Sequence, residues 1–150
     1  MKVKLEDIKK LREQTGAGVA DCRQALEECG GNPTKAAASL RKKGIEKAAK
    51  KAGREVTAGR VFSYIHHNGK IGALVCLACE TDFVAKTDDF QALGRELALH
   101  IAASQPTTVA ELLDQEYVRD PSKKISDLVK EVIGKLGENI VVIDFKVVKV

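Results

Sequence analysis

R60-V61-F62-S63-Y64-I65-H66-H67-N68-G69-K70-I71-G72-A73-L74-V75-C76-L77-A78-C79-E80-T81 is where the period of the chain changes from helical to strand-like. On either side of Asn68-Gly69 the residues are β-branched, aromatic or aliphatic. Asn-Gly between two such runs is the strongest short hairpin signal. The reading is a pair of antiparallel strands with His67 opposite Lys70, Tyr64 opposite Ala73 and Phe62 opposite Val75. Aromatic and β-branched side chains then meet across the strands on one face.

Before the hairpin the pattern is helical. Leu5, Ile8 and Leu11 follow a 3.6-residue spacing, T15-G16-A17-G18 interrupts it, and a second helix runs from Val19 or Ala20 to Gly30-Gly31. Asn32 caps a third helix with Pro33 at its first position, where the missing N–H costs nothing, and Gly44 is expected to end it. Residues 1–45 read as a three-helix docking module, 46–56 as a basic helical connector without a wide apolar stripe, and 57–150 as an α+β core.

After the hairpin, Asp88 or Thr87 caps a helix carrying Phe90, Leu93, Leu97 and Ile101, which ends before Pro106. A short helix over 107–117, a loop at V118-R119-D120-P121 and a helix over 122–136 follow. The last run, from Glu138 to Val150, reads as a strand. Both of its alternating sets are largely apolar, so it needs cover on both sides. The helices suffice for one face and leave the other for a second subunit.

The 150 residues carry 44% hydrophobic and 31% charged side chains, a globular balance, and no run approaches the roughly 18 apolar residues of a membrane span. With a charged amphipathic N-terminus, the chain reads as cytoplasmic. Charge is uneven: Arg41, Lys42, Lys43, Lys47, Lys50, Lys51, Arg54 and Arg60 face only Glu46 and Glu55 within 41–60. That stretch suits phosphates, but it lacks the aromatics that stack single-stranded bases. A solvated surface is its plainer reading.

Cys22 and Cys29 share an apolar helical stripe with Ala25 and Leu26, whereas Cys76 and Cys79 stand three apart in a strand and point to opposite faces. Core thiols are expected rather than a metal or redox site. Adjacent His66 and His67 diverge in the same way, and His100 reads as a satisfied residue at the edge of the core. No phosphate loop, nucleophile elbow or zinc-protease motif is present, and Asp88 and Asp89 fit a helix start. The chain reads as a binding protein, neither an enzyme nor the holder of a cofactor.

T81-D82-F83-V84-A85-K86, together with L11-R12-E13-Q14-T15-G16-A17-G18-V19-A20-D21-C22-R23-Q24-A25-L26, resembles bacterial elongation factor Ts. The likeness continues through K47-A48-A49-K50-K51-A52-G53 and Y117-V118-R119-D120-P121 to L136-G137-E138-N139-I140, and the chain is similar to the short form with one core copy. The resemblance implies a ubiquitin-associated-like N-terminal module, an antiparallel sheet packed with helices, and guanine-nucleotide exchange on elongation factor Tu. It implies that Thr81, Asp82, Phe83 and Val84 lie against the GTPase and disturb its Mg²⁺ site, with Phe83 as an apolar wedge. It further implies docking through Arg12 and Val19 and a homodimer giving a two-plus-two complex, without membrane or direct nucleic-acid contact. From the residues alone, Phe83 fits a core position at the end of the hairpin equally well. The alternative function is a ubiquitin-associated-like recognition module with a basic nucleic-acid-binding segment.

Overall fold

The computed structural model describes residues 2–150, so Met1, the first residue of the N-terminal reading, lies outside them. Three helices come first: α1 (Leu5–Thr15), α2 (Val19–Glu28) and α3 (Pro33–Ala49). α1 ends at Gly16, whose φ of 67° lets its N–H reach the Arg12 carbonyl at 2.7 Å. That backbone is strained for any residue with a Cβ. α3 begins as its residues dictate, with Pro33 at the first position and the Lys35 N–H donating to Asn32 Oδ1 at 3.0 Å. Ile8, Leu11, Cys22, Ala25, Leu26, Ala36 and Leu40 close a small core of their own. Leu5 is not part of it: Leu5 is exposed, and Val3, ahead of the helix, packs there instead.

α3 does not stop at Gly44. A mid-helix glycine costs about 1 kcal/mol relative to alanine, and here tertiary packing offsets it. Ala48, beyond the glycine, is buried in the main core of the protein. Opposite Gly44 lies α7 (Ile125–Leu136), which crosses so closely that a Cβ on Gly134 would sit 2.6 Å from the Gly44 carbonyl oxygen.

β1 (Ala58–Ile65) and β2 (Ile71–Cys79) form the expected hairpin, with Tyr64 opposite Ala73 and Phe62 opposite Val75. Its turn differs from the two-residue form. The Gly69 N–H donates to the His66 carbonyl at 2.8 Å, and the His66 N–H to the Ile71 carbonyl at 2.9 Å, so residues 67–70 form a four-residue loop. Asn68 Oδ1 accepts the Lys70 N–H at 3.0 Å, the donor that a two-residue turn would give to His67. His67 and Lys70 are therefore loop neighbours and not a ladder pair.

β5 (Ile140–Lys149) adds antiparallel to the other edge of β2, giving the order β1-β2-β5. α4 (Asp82–Ala85) and α5 (Asp88–Ser104) cover one face, where Phe62, Val75, Leu77 and Val142 pack with Phe90, Leu97 and Ile101. Thr87 caps α5 by accepting the Phe90 N–H at 3.3 Å. The register slips between Cys76 and Leu77, leaving Ile143 without a partner on β2. On the other face Val61, Ile65, Leu74, Ile143 and Val148 are exposed. The doubly apolar strand is thus covered on one side within the chain.

α6 (Val109–Asp114) is shorter than the helix read over 107–117, and β3 (Glu116–Tyr117) pairs with β4 (Asp120–Lys124) where a loop and a helix start were expected. Asp120 Oδ1 accepts both the backbone N–H and the hydroxyl of Ser122, which holds that segment out of the helix until Ile125. There the Asp127 carboxylate takes the Lys124 N–H at 3.2 Å and starts α7.

His100 is satisfied, as read, but it is fully buried rather than at the edge of the core. The Val118 N–H donates to Nδ1 at 3.3 Å, so the proton sits on Nε2, which donates to Gln115 Oε1 at 2.9 Å. Burial lowers its pKa below the usual 6.5, outweighing the Gln115 bond. A base depressed on folding contributes stability that is full above its unfolded pKa and fades as pH falls below about 6.5. The urea midpoint should therefore drop between pH 7.5 and 5.5, and His100→Gln should flatten that slope. An unchanged slope would contradict the neutral buried state.

Candidate functional site

The Thr81 to Val84 segment forms the cap and first residues of α4, a helix of a single turn. Thr81 Oγ1 accepts the Val84 N–H at 3.4 Å, while Val84 and Ala85 turn into the main core. A helix this short cannot hold itself in water, so the burial of those two side chains anchors it. Thr81 and Asp82 stay exposed, and Phe83 projects outward with 87% of its surface accessible. The core position that the residues alone allowed for Phe83 is excluded. The Val84 side chain points inward, so the accessible tip consists of Thr81, Asp82 and Phe83.

What holds this tip from outside is remote from it in sequence. The Glu138 carboxylate accepts the Thr81 N–H at 2.9 Å and its hydroxyl at 2.7 Å. In the reverse sense, Glu80 Oε1 accepts the Asn139 N–H at 2.8 Å. Asn139 is itself buried, and its Nδ2 donates to the Ala52 and Arg54 carbonyls at 3.3 and 2.9 Å. Residues 138–139 thus tie the tip, the end of β2 and the segment after α3 together. These partners lie 57 to 87 residues apart, beyond the reach of any local pattern.

Arg12 and Val19 flank the T15-G16-A17-G18 loop and are both exposed, Val19 as the first residue of α2. Lys135 on α7 joins that loop to the tip's helix pair. Its aliphatic stem lies against Gly16, in the space a Cβ there would need. Its Nζ pairs with Asp89 Oδ1 at 2.9 Å, in the first turn of α5.

The basic stretch is answered in part within the chain. Arg41 pairs with Glu131 at 3.2 Å, Lys43 with Glu28 at 3.2 Å, Lys47 with Asp21 at 3.6 Å and Arg54 with Glu80 at 3.6 Å. Half of its eight cations therefore face carboxylates. Cys22 and Cys79 are buried, and burial pushes the Cys79 thiol up, away from the thiolate that nucleophilic chemistry needs. Among the described residues no group of three or more His, Cys, Asp and Glu side chains could hold a metal ion. None of the described helices is long and apolar enough to cross a membrane.

The family model described as "Elongation factor TS" matches residues 80–150, from the base of the tip through β5. An elongation factor Ts of Fervidobacterium nodosum is 40% identical over 190 aligned positions, covering 97% of this chain and 96% of its own. The chain belongs to the elongation factor Ts family. Other members of this translation elongation factor family match similarly. That of Leptospira biflexa is 43% identical over 187 positions, covering 95% of this chain and 94% of its own. That of Aquifex aeolicus is 46% identical over 145 residues, covering 93% of this chain and 50% of its own. The α+β architecture with an antiparallel sheet agrees with this membership.

Proposed function

We propose that the chain is a guanine-nucleotide exchange factor for elongation factor Tu that works by inserting Phe83 into the GTPase. The observation that carries this reading is Phe83 itself, an aromatic left 87% exposed on a one-turn helix that is anchored beneath by Val84 and Ala85. An exposed aromatic on a rigid mount is the composition of an interface anchor. Asp82 beside it fixes register through polar contacts, and Thr81 caps the turn that presents both.

A GTPase holds its nucleotide through a phosphate loop and a Mg²⁺ that bridges protein and phosphate oxygens. An apolar side chain driven between its helices displaces those groups without touching the nucleotide. The factor then binds best to the empty state. By linkage, factor and nucleotide weaken one another by the same free energy, so release accelerates without a choice between GDP and GTP. No bond is made or broken by the factor, and it is not an enzyme in the chemical sense.

Residues 1–45 serve in this reading as a ubiquitin-associated-like docking module, with Arg12 and Val19 on its contact edge. The 46–56 connector joins it to the 57–150 core. The protein works in the cytoplasm, where its GTPase is. Labelled GDP bound to elongation factor Tu should be released faster on addition of this chain, and an unchanged rate would sink the proposal. The nucleic-acid alternative is disfavoured by the internal ion pairs of the basic stretch.

A homodimer giving a two-plus-two complex is part of the same proposal. The outer sheet face, with Val61, Ile65, Leu74, Ile143 and Val148 exposed, supports it, since exposed apolar patches of that kind mark association surfaces. Leu74 lies on the central strand of that face, and Leu74→Asp should yield monomers in sedimentation equilibrium while leaving the covered face unaltered. A variant as dimeric as the parent would place the interface elsewhere.

A further inference from the structure

We propose that Glu138 is the positioning residue of the Phe83 tip: it sets the rate of nucleotide release by holding α4 in its presenting geometry. This rests on the reading of Phe83 as the contact group.

Phe83 is too exposed for packing to fix its direction, so its orientation is inherited from the backbone of residues 81–84. That backbone has two supports. Below, Val84 and Ala85 are buried. At the entry, both polar hydrogens of Thr81 are taken by Glu138, the N–H at 2.9 Å and the hydroxyl at 2.7 Å. With its proton committed to the carboxylate, the hydroxyl oxygen keeps a lone pair directed at the Val84 N–H, the cap bond at 3.4 Å. Glu138 thereby orders the first turn of α4 through Thr81.

Glu138 can do this because its own backbone is fixed on both sides. Gly137 ends α7, its N–H donating to the Ile133 carbonyl at 2.8 Å. Asn139 is buried and held by Glu80, Ala52 and Arg54. The carboxylate therefore acts as a fixed bracket rather than a mobile surface charge. Loss of two charge-assisted hydrogen bonds at such a bracket should loosen the tip and slow stimulated release by roughly ten-fold.

The test is a cycle on labelled GDP release from elongation factor Tu with Glu138→Ala, Phe83→Ala and the double variant, recording maximal rate and half-saturating concentration. Glu138→Ala is expected to lower the maximal rate about ten-fold while still melting cooperatively, within several degrees of the parent. Glu138→Gln, which keeps an acceptor for the Thr81 N–H, should recover part of the rate. In the Phe83→Ala background, removing Glu138 should cost nothing further. Full activity of Glu138→Ala beside a defective Phe83→Ala would overturn the positioning role alone. So would losses that multiply in the double variant, since Glu138 would then act apart from Phe83. A fully active Phe83→Ala would overturn the tip reading and the positioning role together. Should Glu138→Ala fail to fold, Thr81→Val removes the hydroxyl half of the bracket and the Val84 cap with it, while the Thr81 N–H keeps its bond to Glu138. Folded Thr81→Val at parental rate refutes the proposal, and a several-fold loss that Thr81→Ser, which keeps the hydroxyl, restores supports it.

Discussion

Phe83→Ala is expected to lose most of the stimulation of GDP release while melting at the temperature of the parent. The side chain belongs to neither of the two buried clusters and leaves 87% of its surface in water, so its removal creates no cavity. Large costs of core truncation come from lost burial and from the void left behind, and neither applies here. At an interface the same truncation is costly, because a buried aromatic anchor is typically worth about 2 to 4 kcal/mol, enough for a tens-fold loss in rate. Phe83→Leu should recover part of it, keeping apolar volume but not ring shape. Stopped-flow release of a fluorescent GDP against a thermal melt of the same preparations separates the two quantities. A variant that is fully active, or one that is unfolded, would refute the wedge.

Gly134→Ala should destabilise the protein, although alanine is the better helix former by about 1 kcal/mol. Gly134 lies inside α7, and on helix propensity alone the substitution would be stabilising. The new Cβ would lie 2.6 Å from the Gly44 carbonyl oxygen and 2.7 Å from its Cα, and a backbone cannot rotate away as a side chain can. α3 and α7 must part, exposing Ala48 and shifting the module that carries Arg12 and Val19. Overpacking of this kind typically costs about 1 to 3 kcal/mol, which set against the propensity gain leaves a net loss of about 1 kcal/mol, or roughly 3 °C in melting temperature. Gly44→Ala on the facing helix is the control. A Cβ there meets nothing within 4 Å, so the propensity gain should appear as a rise of a few degrees. Melting curves of the two variants should move in opposite directions, and a stabilised Gly134→Ala would mean that the helices cross less closely.

Much of this fold was legible because its signals are local. Asn32-Pro33 and Thr87 mark helix starts through side-chain caps that need no other part of the chain. Phe90, Leu93, Leu97 and Ile101 mark a buried helical stripe by spacing alone. The Phe62/Val75 and Tyr64/Ala73 register followed from counting back from Asn68-Gly69 even though the turn is longer than its sequence suggests. Where the reading erred, a competing bond or contact had won. Asn68 captured the Lys70 amide, Asp120 captured Ser122, and burial of Ala48 carried α3 past Gly44.

Residue order by itself determined most of the helices, how the hairpin pairs, and that the final run is extended. It could not determine the direction of Phe83, because an aromatic one turn from a strand end satisfies the same pattern whether buried or exposed. That was decided by Val84 and Ala85 taking the inward positions and by Glu138, arriving from the far end of α7, closing on Thr81. Caps and periodicities are short-range consequences of backbone geometry. A bracket between residues 57 apart exists only after the sheet and α7 have brought them together.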